Sequence, residues 1–243
     1  MSKVKEIKKA KYEGYLSEDT HLHIQNGNRK TGKGIYLVNL LPGSKPLQKK
    51  DGTLLTNVAG TCVGCCENVC EKDCYAIKYT ILHHNTCIPT YLDNTILAKN
   101  DIDTFFKELQ LFIDRNMIAA IRFHASGEIP NFIYLKKMAE IAKKNPDIIF
   151  YTYTKRYNLL EMFIKEMNLP KNLVILVSIW NNNYSNPNEF PEFILDDGTD
   201  PSLEDIIHCP AVDKNGHDTG ETCAHCKLCL KAKKGDKICV YKH

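Results

Sequence analysis

The sequence predicts an α/β protein: a partial (β/α) barrel of parallel strands, followed by a cysteine-rich C-terminal segment that metal holds together. The barrel follows from three short apolar runs, typical of buried strands, that alternate with helical stretches between residues 118 and 180. The metal follows from two dense groups of cysteines, because thiols at such density oxidise and cross-link when they are left free. The order of elements allows the strands either to close as a barrel or to stay open as a partial one.

Composition is that of a soluble globular protein. The 243 residues suffice for one substantial domain, and 43% of them are apolar and 25% charged. A net charge of +3 is too small to indicate nucleic-acid binding. The N-terminus lacks the apolar core of a signal peptide, and no long apolar run occurs, so we expect a cytoplasmic protein without membrane contact. In that compartment an odd total of 11 cysteines favours metal over disulfides.

Three segments differ in composition. Residues 1–33 form a polar N-terminal extension, residues 34–202 contain the partial barrel with the first cysteine loop, and residues 203–243 form the cysteine-rich segment with little core of its own. The second segment ends in an Asn- and Pro-rich stretch, residues 181–202, which we expect to be a long loop.

The elements of the second segment follow from local patterns. Strands are expected where apolar and β-branched residues run together, at residues 34–41, 118–124, 147–154 and 173–180. Helices are expected where apolar residues recur at helical spacing, at residues 76–84, 101–116, 131–145 and 159–168. Asp101 or Asp103 could cap the second of these helices.

The first cysteine group lies in a loop after the first strand and ends on an aromatic residue; its members are Cys62, Cys65, Cys66, Cys70, Cys74 and Tyr75. Iron–sulfur clusters are held by thiolates that are close in sequence, and a cubane with three protein thiolates leaves one iron open for a small ligand. Both Cys66-x3-Cys70-x3-Cys74 and Cys62-x7-Cys70-x3-Cys74 offer three thiols. Zinc is the competitor, but only Cys62-x2-Cys65 forms a zinc-type pair, so the spacing favours iron–sulfur.

The second cysteine group supplies four thiols near the C-terminus: Cys209, Cys223, Cys226 and Cys229. Four thiolates can close a cubane completely or hold a tetrahedral zinc ion. Three thiols within seven residues are more typical of ferredoxins than of zinc sites, which favours an auxiliary iron–sulfur cluster. His208 and His225 could substitute as ligands, so the zinc interpretation stays open.

Polar residues follow the carboxyl ends of three predicted strands, where ligands bind in parallel α/β folds. Ser126, Gly127 and Glu128 follow the strand at residues 118–124. The glycine permits close backbone approach and the carboxylate could bind an ammonium group, or the segment is simply a strand-to-helix turn. Lys155 could pair with a carboxylate or phosphate, or be a solvated loop charge. Ser178 could bond a ribose hydroxyl, or be a satisfied buried hydroxyl.

The cysteine loop and the segment from Ser126 to Pro130 together resemble radical S-adenosylmethionine proteins. That resemblance implies a three-cysteine [4Fe–4S] cluster, a Ser-Gly-Glu turn that binds the methionine amino group, and Tyr75 beside the adenine. It also implies an enzyme in which an electron donor such as a flavodoxin or ferredoxin reduces the cluster. The cluster then cleaves S-adenosylmethionine to a 5′-deoxyadenosyl radical, which abstracts hydrogen from an unknown substrate.

A closer resemblance is to the phage-encoded gene product 88 family, over about residues 35–230. It rests on Cys74-Tyr75-Ala76, on the Arg-x-His-x-Ser-Gly-Glu stretch that starts at Arg122, on Tyr153-Thr154-Lys155-Arg156, and on the terminal Cys-x2-Cys-x2-Cys. The resemblance implies that Cys62, Cys70 and Cys74 are the cluster ligands and that Cys65 and Cys66 are extra.

Two further interpretations remain. The chain could be a zinc- or cluster-stabilised binding module, for nucleic acid among other partners, without turnover. It could also be an iron–sulfur protein that only transfers electrons. The substrate cannot be read from the sequence.

Overall fold

The computed structural model describes Gly14 and residues 16–63, 70–179 and 185–242, which form two compact units. The first unit comprises Met1–Ile24, Val38–Met117 and His124–Ile141, and the second comprises Gln25–Leu37, Ile118–Phe123 and Ala142–His243, in each case within the described residues. The three segments inferred from composition remain a prediction. Across the described residues, no helix combines the length and the apolar character that crossing a bilayer requires.

Ten strands occur in the described residues: β1 (Gln25–Asn26), β2 (Ile35–Val38), β3 (Pro46–Gln48), β4 (Leu54–Ala59), β5 (Ala120–Phe123), β6 (Ile149–Thr154), β7 (Leu173–Ile179), β8 (Glu192–Asp196), β9 (Ile207–His208) and β10 (Lys237–Tyr241). Eight of them form one sheet in the order β1-β2-β5-β6-β7-β8-β10-β9, and β3 and β4 form a separate antiparallel pair. From β5 through β9 each neighbouring pair is parallel, whereas β1 and β2 are antiparallel. The α/β class with parallel strands is therefore confirmed.

The described strands form an open sheet with β1 and β9 as its two edges, so of the two arrangements that the sequence allowed, a closed barrel is not seen. The four predicted strands correspond to β2, β5, β6 and β7; of these, β2, β5 and β6 are shorter than predicted by two to four residues. Most residues on both faces of β6 and β7 are buried, and they are largely apolar β-branched or aromatic residues. Parallel strands that are buried on both faces have near-continuous apolar runs, and such runs predicted these two strands.

The expected loop at residues 181–202 is wrong in part, because β8 lies within it. The strand's apolar centre, Phe193-Ile194-Leu195, is short and flanked by acidic residues, so it gave a weak local signal. It is stabilised by β7 on one side and by β10 on the other. The C-terminal segment likewise has more core than expected, since Ile238 and Cys239 of β10 are buried.

The described residues contain helices α1 (Tyr75–Leu82), α2 (His84–Asn100), α3 (Ile102–Arg115), α4 (Phe132–Lys144), α5 (Tyr157–Glu166) and the single turn α6 (Cys223–Cys226). The four predicted helices correspond to α1, α3, α4 and α5, and Asp101 caps α3 by accepting a hydrogen bond from the Thr104 N–H at 3.0 Å.

Helix α2 was not predicted, because polar residues interrupt its apolar pattern. Asn94 and Thr95 are buried, and each replaces a water contact with a backbone hydrogen bond. The Thr95 hydroxyl accepts from the Leu41 N–H at 2.8 Å, and the Asn94 amide donates to the carbonyls of His23 and Asn39. These bonds attach α2 to the chain segment that leads to the first cysteine loop.

Candidate metal-binding sites

The first site begins at Cys62, which the preceding chain holds in place. Thr61 pairs with the chain after β2 through its N–H, which donates to the Leu41 carbonyl at 2.9 Å. The Cys62 N–H donates to the Gly43 carbonyl at 3.1 Å, and the Gly43 N–H donates back to the Cys62 sulfur at 3.3 Å. The sulfur is thus oriented by backbone contacts before any ligand binds.

Cys70 and Cys74 flank a 3-10 turn, Glu71–Asp73, and Cys74 is the residue before α1. The Glu71 carboxylate accepts a hydrogen bond from the Ser44 N–H at 2.5 Å. This contact joins the end of the cysteine loop to the residue that follows Gly43, and therefore to the segment that orients Cys62. Cys65 and Cys66 lie outside the described residues.

The Ser126-Gly127-Glu128 turn belongs to the same unit and packs directly on this segment. The Ser126 N–H donates to Asn39 Oδ1 at 3.2 Å, the Ser126 carbonyl accepts from the Leu40 N–H at 3.0 Å, and its hydroxyl donates to the Leu40 carbonyl at 3.1 Å. The Glu128 N–H donates to the Thr61 hydroxyl at 2.8 Å. Since Thr61 precedes Cys62, this bond places the buried Glu128 next to the first ligand candidate.

Gly127 makes this close approach possible. Its φ of +85° lies in the left-handed region that favours glycine, and a Cβ there would lie 2.7 Å from Leu40 Cβ and 2.8 Å from Thr61 Oγ1. The residue before Ala125, His124, also has a positive φ of 59° and is not glycine. Such backbone strain in ordered segments is frequent at functional sites.

Tyr75 closes the site from the helix side. It is the first residue of α1, and its hydroxyl donates to the Ala125 carbonyl at 2.6 Å while more than half of the side chain remains exposed. The first unit therefore contains all of these predicted site residues: Tyr75, Ser126, Gly127, Glu128 and the three cysteines.

The acidic groups of this site affect one another's ionisation. Burial raises the pKa of the Cys62 thiol well above its usual range, and the negative charges of Glu128, Cys74 and Cys70 raise it further. A group whose members repel one another when ionised would gain from a positively charged occupant. Among the described residues, no three His, Cys, Asp or Glu side chains already stand in metal-binding geometry.

The second site lies in the second unit, on one face of the sheet. Alternation along the strands places Tyr153, Leu176, Phe193 and Ile238 on a shared face, where Leu176 and Ile238 form a buried cluster with Cys229. The C-terminal cysteine segment therefore covers this face of the sheet.

Backbone contacts position the four cysteines of the second site. The Cys209 N–H donates to the Cys239 carbonyl of β10 at 2.7 Å, and the Cys223 N–H at the start of α6 donates to the Lys30 carbonyl at 3.0 Å. Lys227 ends α6 with a left-handed φ of 58°, which returns the chain so that Cys229 is buried.

All four thiols line one small cavity of about 20 Å³, together with Tyr153, Leu228 and Ile238 among others. Burial raises the pKa of Cys229 to about 12 and also raises the pKa values of Cys223 and Cys209. The two histidines that the sequence offered as ligands are engaged with carboxylates: His208 Nε2 lies 2.9 Å from Asp196 Oδ2, and His225 Nδ1 lies 2.8 Å from Glu221 Oε1.

Lys155 and Ser178, the remaining predicted ligand contacts, lie in the second unit, whereas Ser126 and Glu128 lie in the first. Lys155 follows β6, and Ser178 is buried near the end of β7 with its carbonyl accepting a hydrogen bond from the Tyr157 hydroxyl at 2.5 Å. Their role in the same binding site as Glu128 stays a prediction.

Sequence reasoning missed three residues of these sites: Thr61, Arg122 and Tyr151. Thr61 has no motif of its own, although it adjoins Cys62. Arg122 and Tyr151 could have been found by alternation, since register pairs them across β5 and β6 and puts both on the face of Tyr153.

The family model described as gene product 88 matches residues 22–232, which include both cysteine groups. The chain belongs to the gene product 88 family. No match was found among curated proteins or among solved structures. The family description carries no activity, so the resemblance to radical S-adenosylmethionine proteins remains a prediction.

Proposed function

We propose that this member of the gene product 88 family is an iron–sulfur enzyme that cleaves S-adenosylmethionine. In the proposal Cys62, Cys70 and Cys74 hold a [4Fe–4S] cluster, and the second cysteine group holds another. One observation carries it: the buried Glu128 is bonded through its N–H to Thr61, the residue before Cys62, and the charges of Glu128, Cys70 and Cys74 all raise the pKa of the Cys62 thiol. A metal cluster and a ligand that carries ammonium and sulfonium charges would both be attracted to such a site.

The chain's own residues have separate roles in this proposal. The Gly43 N–H hydrogen-bonds to the Cys62 sulfur, and hydrogen bonds to cluster sulfurs help to set the reduction potential. Thr61 and Gly127 hold Glu128 in place, and its carboxylate, whose Oε1 accepts a hydrogen bond from the Ile129 N–H at 2.8 Å, would bind the amino group of a methionine moiety. Exposed at the start of α1, Tyr75 offers a ring face to an adenine.

When bound, the cluster and S-adenosylmethionine would supply the chemistry: a one-electron reductive cleavage of the S–C5′ bond, with the electron from a donor such as a flavodoxin or ferredoxin, and hydrogen abstraction from the substrate. The consecutive strand order from β5 to β8 is compatible with the partial barrel of such enzymes. Lys155 and Ser178 are proposed as further contacts to the cofactor.

The small cavity at the second site favours one alternative. Its volume of about 20 Å³ is enough for a single ion, whereas a cubane would require the four thiols to move apart. One zinc ion in tetrahedral thiolate coordination would stabilise the C-terminal segment on the sheet, in a binding module without turnover.

Anaerobic purification followed by iron, sulfide and zinc analysis tests the proposal. We expect about seven or eight irons per chain, and 5′-deoxyadenosine from S-adenosylmethionine once dithionite is added. Replacing Cys62, Cys70 and Cys74 together by alanine should remove about four irons and all cleavage. Cys87→Ala is the matched control, since Cys87 is a buried cysteine in neither group.

Two results would contradict the proposal. A colourless protein with one or two zinc ions would support the binding module instead. Iron without 5′-deoxyadenosine formation would leave an electron-transfer protein. Single Cys65→Ala and Cys66→Ala variants show whether either thiol replaces Cys62.

A further inference from the structure

On its sheet side the second site has three residues that the proposed function does not use, Arg122, Tyr151 and Tyr153. We call them the polar wall. Arg122 of β5 and Tyr151 of β6 are register partners, and Tyr153 follows on the same face. The Arg122 guanidinium carbon lies 4.7 Å from the centre of the Tyr153 ring and 6.0 Å from that of Tyr151. These distances are within the range of cation–π interactions, so the two rings hold the cation in place.

The wall faces the cysteines directly. Tyr153 lines the cavity with all four thiols, and its hydroxyl lowers the pKa of Cys229, against the larger effect of burial. Tyr151 is fully buried, and its hydroxyl has no hydrogen-bond partner of ordinary length within the described part of the chain. Cys223 lines the same cavity as Tyr153, which lies on the same face of β6 as Tyr151. A buried hydroxyl without an acceptor costs free energy, which a negatively charged sulfur at Cys223 would recover.

Arg122 is the cation on this side of the cavity. Its guanidinium lies over the ring of Tyr153, and Tyr153 lines the cavity together with all four cysteines. Lys30 is the other nearby cation, since its carbonyl accepts a hydrogen bond from the Cys223 N–H, but its ammonium lies 3.7 Å from the Asp218 carboxylate, which offsets its charge.

We propose that Arg122, Tyr151 and Tyr153 are positioning residues that compensate the negative charge of a metal centre bound by Cys209, Cys223, Cys226 and Cys229. With the metal bound, the Tyr151 and Tyr153 hydroxyls would donate to the sulfurs of Cys223 and Cys229, and the Arg122 guanidinium would supply the opposite charge. Hydrogen bonds and charge near cluster sulfurs raise the reduction potential, because the reduced cluster carries one more negative charge. The inference rests on the metal-binding part of the proposed function and not on cleavage of S-adenosylmethionine.

The test compares Arg122→Met, Arg122→Lys, Tyr151→Phe and Tyr153→Phe in the full chain, prepared anaerobically. The midpoint potential of the C-terminal centre is measured by titration followed by electron paramagnetic resonance; its signal is the one that Cys226→Ala removes. Arg122→Met should make reduction roughly tenfold less favourable, which is about 59 mV for one electron. Each Tyr→Phe change should lower the midpoint potential as well, but by less. Arg122→Lys should keep a potential close to that of the unchanged protein, because it keeps the positive charge. Lys231→Met, at an exposed position of the same segment, should change nothing.

If the centre is zinc, the corresponding measurement is the rate of zinc loss to an excess of chelator, which Arg122→Met should raise roughly tenfold. Unchanged potentials or release rates, combined with a lower melting temperature, would show a packing role only and overturn the inference. A C-terminal site that binds neither metal would overturn it too. A metal-loaded protein could show the expected changes in potential or release rate and still fail to cleave S-adenosylmethionine. That result would overturn the proposed enzyme activity and support the charge-compensating role of Arg122, Tyr151 and Tyr153.

Discussion

The substitution Gly127→Ala tests whether the Ser126-Gly127-Glu128 turn is held against the cysteine loop. Alanine at a φ of +85° incurs a cost of about 1–2 kcal/mol in the left-handed region. Its Cβ would also lie 2.7 Å from Leu40 Cβ and 2.8 Å from Thr61 Oγ1, and overpacking of this kind costs about 1–3 kcal/mol. We therefore expect a loss of about 2–5 kcal/mol in the free energy of unfolding, measured by urea denaturation. Iron bound by the first site should fall as well.

Gly52→Ala is the matched control within the same unit. Gly52 has the same φ of +85°, but no atom lies within 4 Å of the position that a Cβ would take. The effect of alanine on the unfolded chain is common to both variants, so the difference between them isolates the contacts to Leu40 and Thr61. If Gly127→Ala destabilises the protein no more than Gly52→Ala, the turn does not pack as the structure shows, and the placement of Glu128 beside Cys62 is wrong.

Two further predictions concern other residues. Tyr75→Phe removes the hydrogen bond to the Ala125 carbonyl and should lower the free energy of unfolding by about 0.5–1.5 kcal/mol; Tyr79→Phe, which removes an exposed hydroxyl from the same helix, should leave it unchanged in the same urea experiment. Burial raises the pKa of Cys239 from its ordinary value of 9.0 to about 11, so its neutral thiol contributes stability that is complete below pH 9 and is lost as the pH rises through 11. Between pH 9 and 11, the free energy of unfolding should fall less steeply with pH in Cys239→Ala than in the unchanged protein, by at most about 1.4 kcal/mol per pH unit. An equal slope in both proteins would refute the burial of this thiol.

The sequence predicted much of the fold because several elements have a strong local pattern. The apolar runs of β6 and β7 and the helical spacing of α3 needed no knowledge of their neighbours. Strands β8 and β10 were missed because their apolar centres of three residues adjoin charged residues, and because the two strands depend on pairing with each other. Helix α2 was missed because its buried polar residues are satisfied by partners more than fifty positions away in the chain, as with Asn94 and Asn39.

For the candidate sites, the sequence by itself determined which atoms are available: two groups of thiols, an acidic turn after the first parallel strand, and an aromatic residue after Cys74. Only the tertiary structure decided what adjoins them. It brought Glu128 to Cys62 through the Thr61 hydroxyl, and it laid the C-terminal cysteines on the sheet face that carries Arg122 and Tyr151. The reason is that residue type and periodicity are local properties of the chain, whereas hydrogen bonds and charge interactions between distant segments exist only once strands and loops have packed.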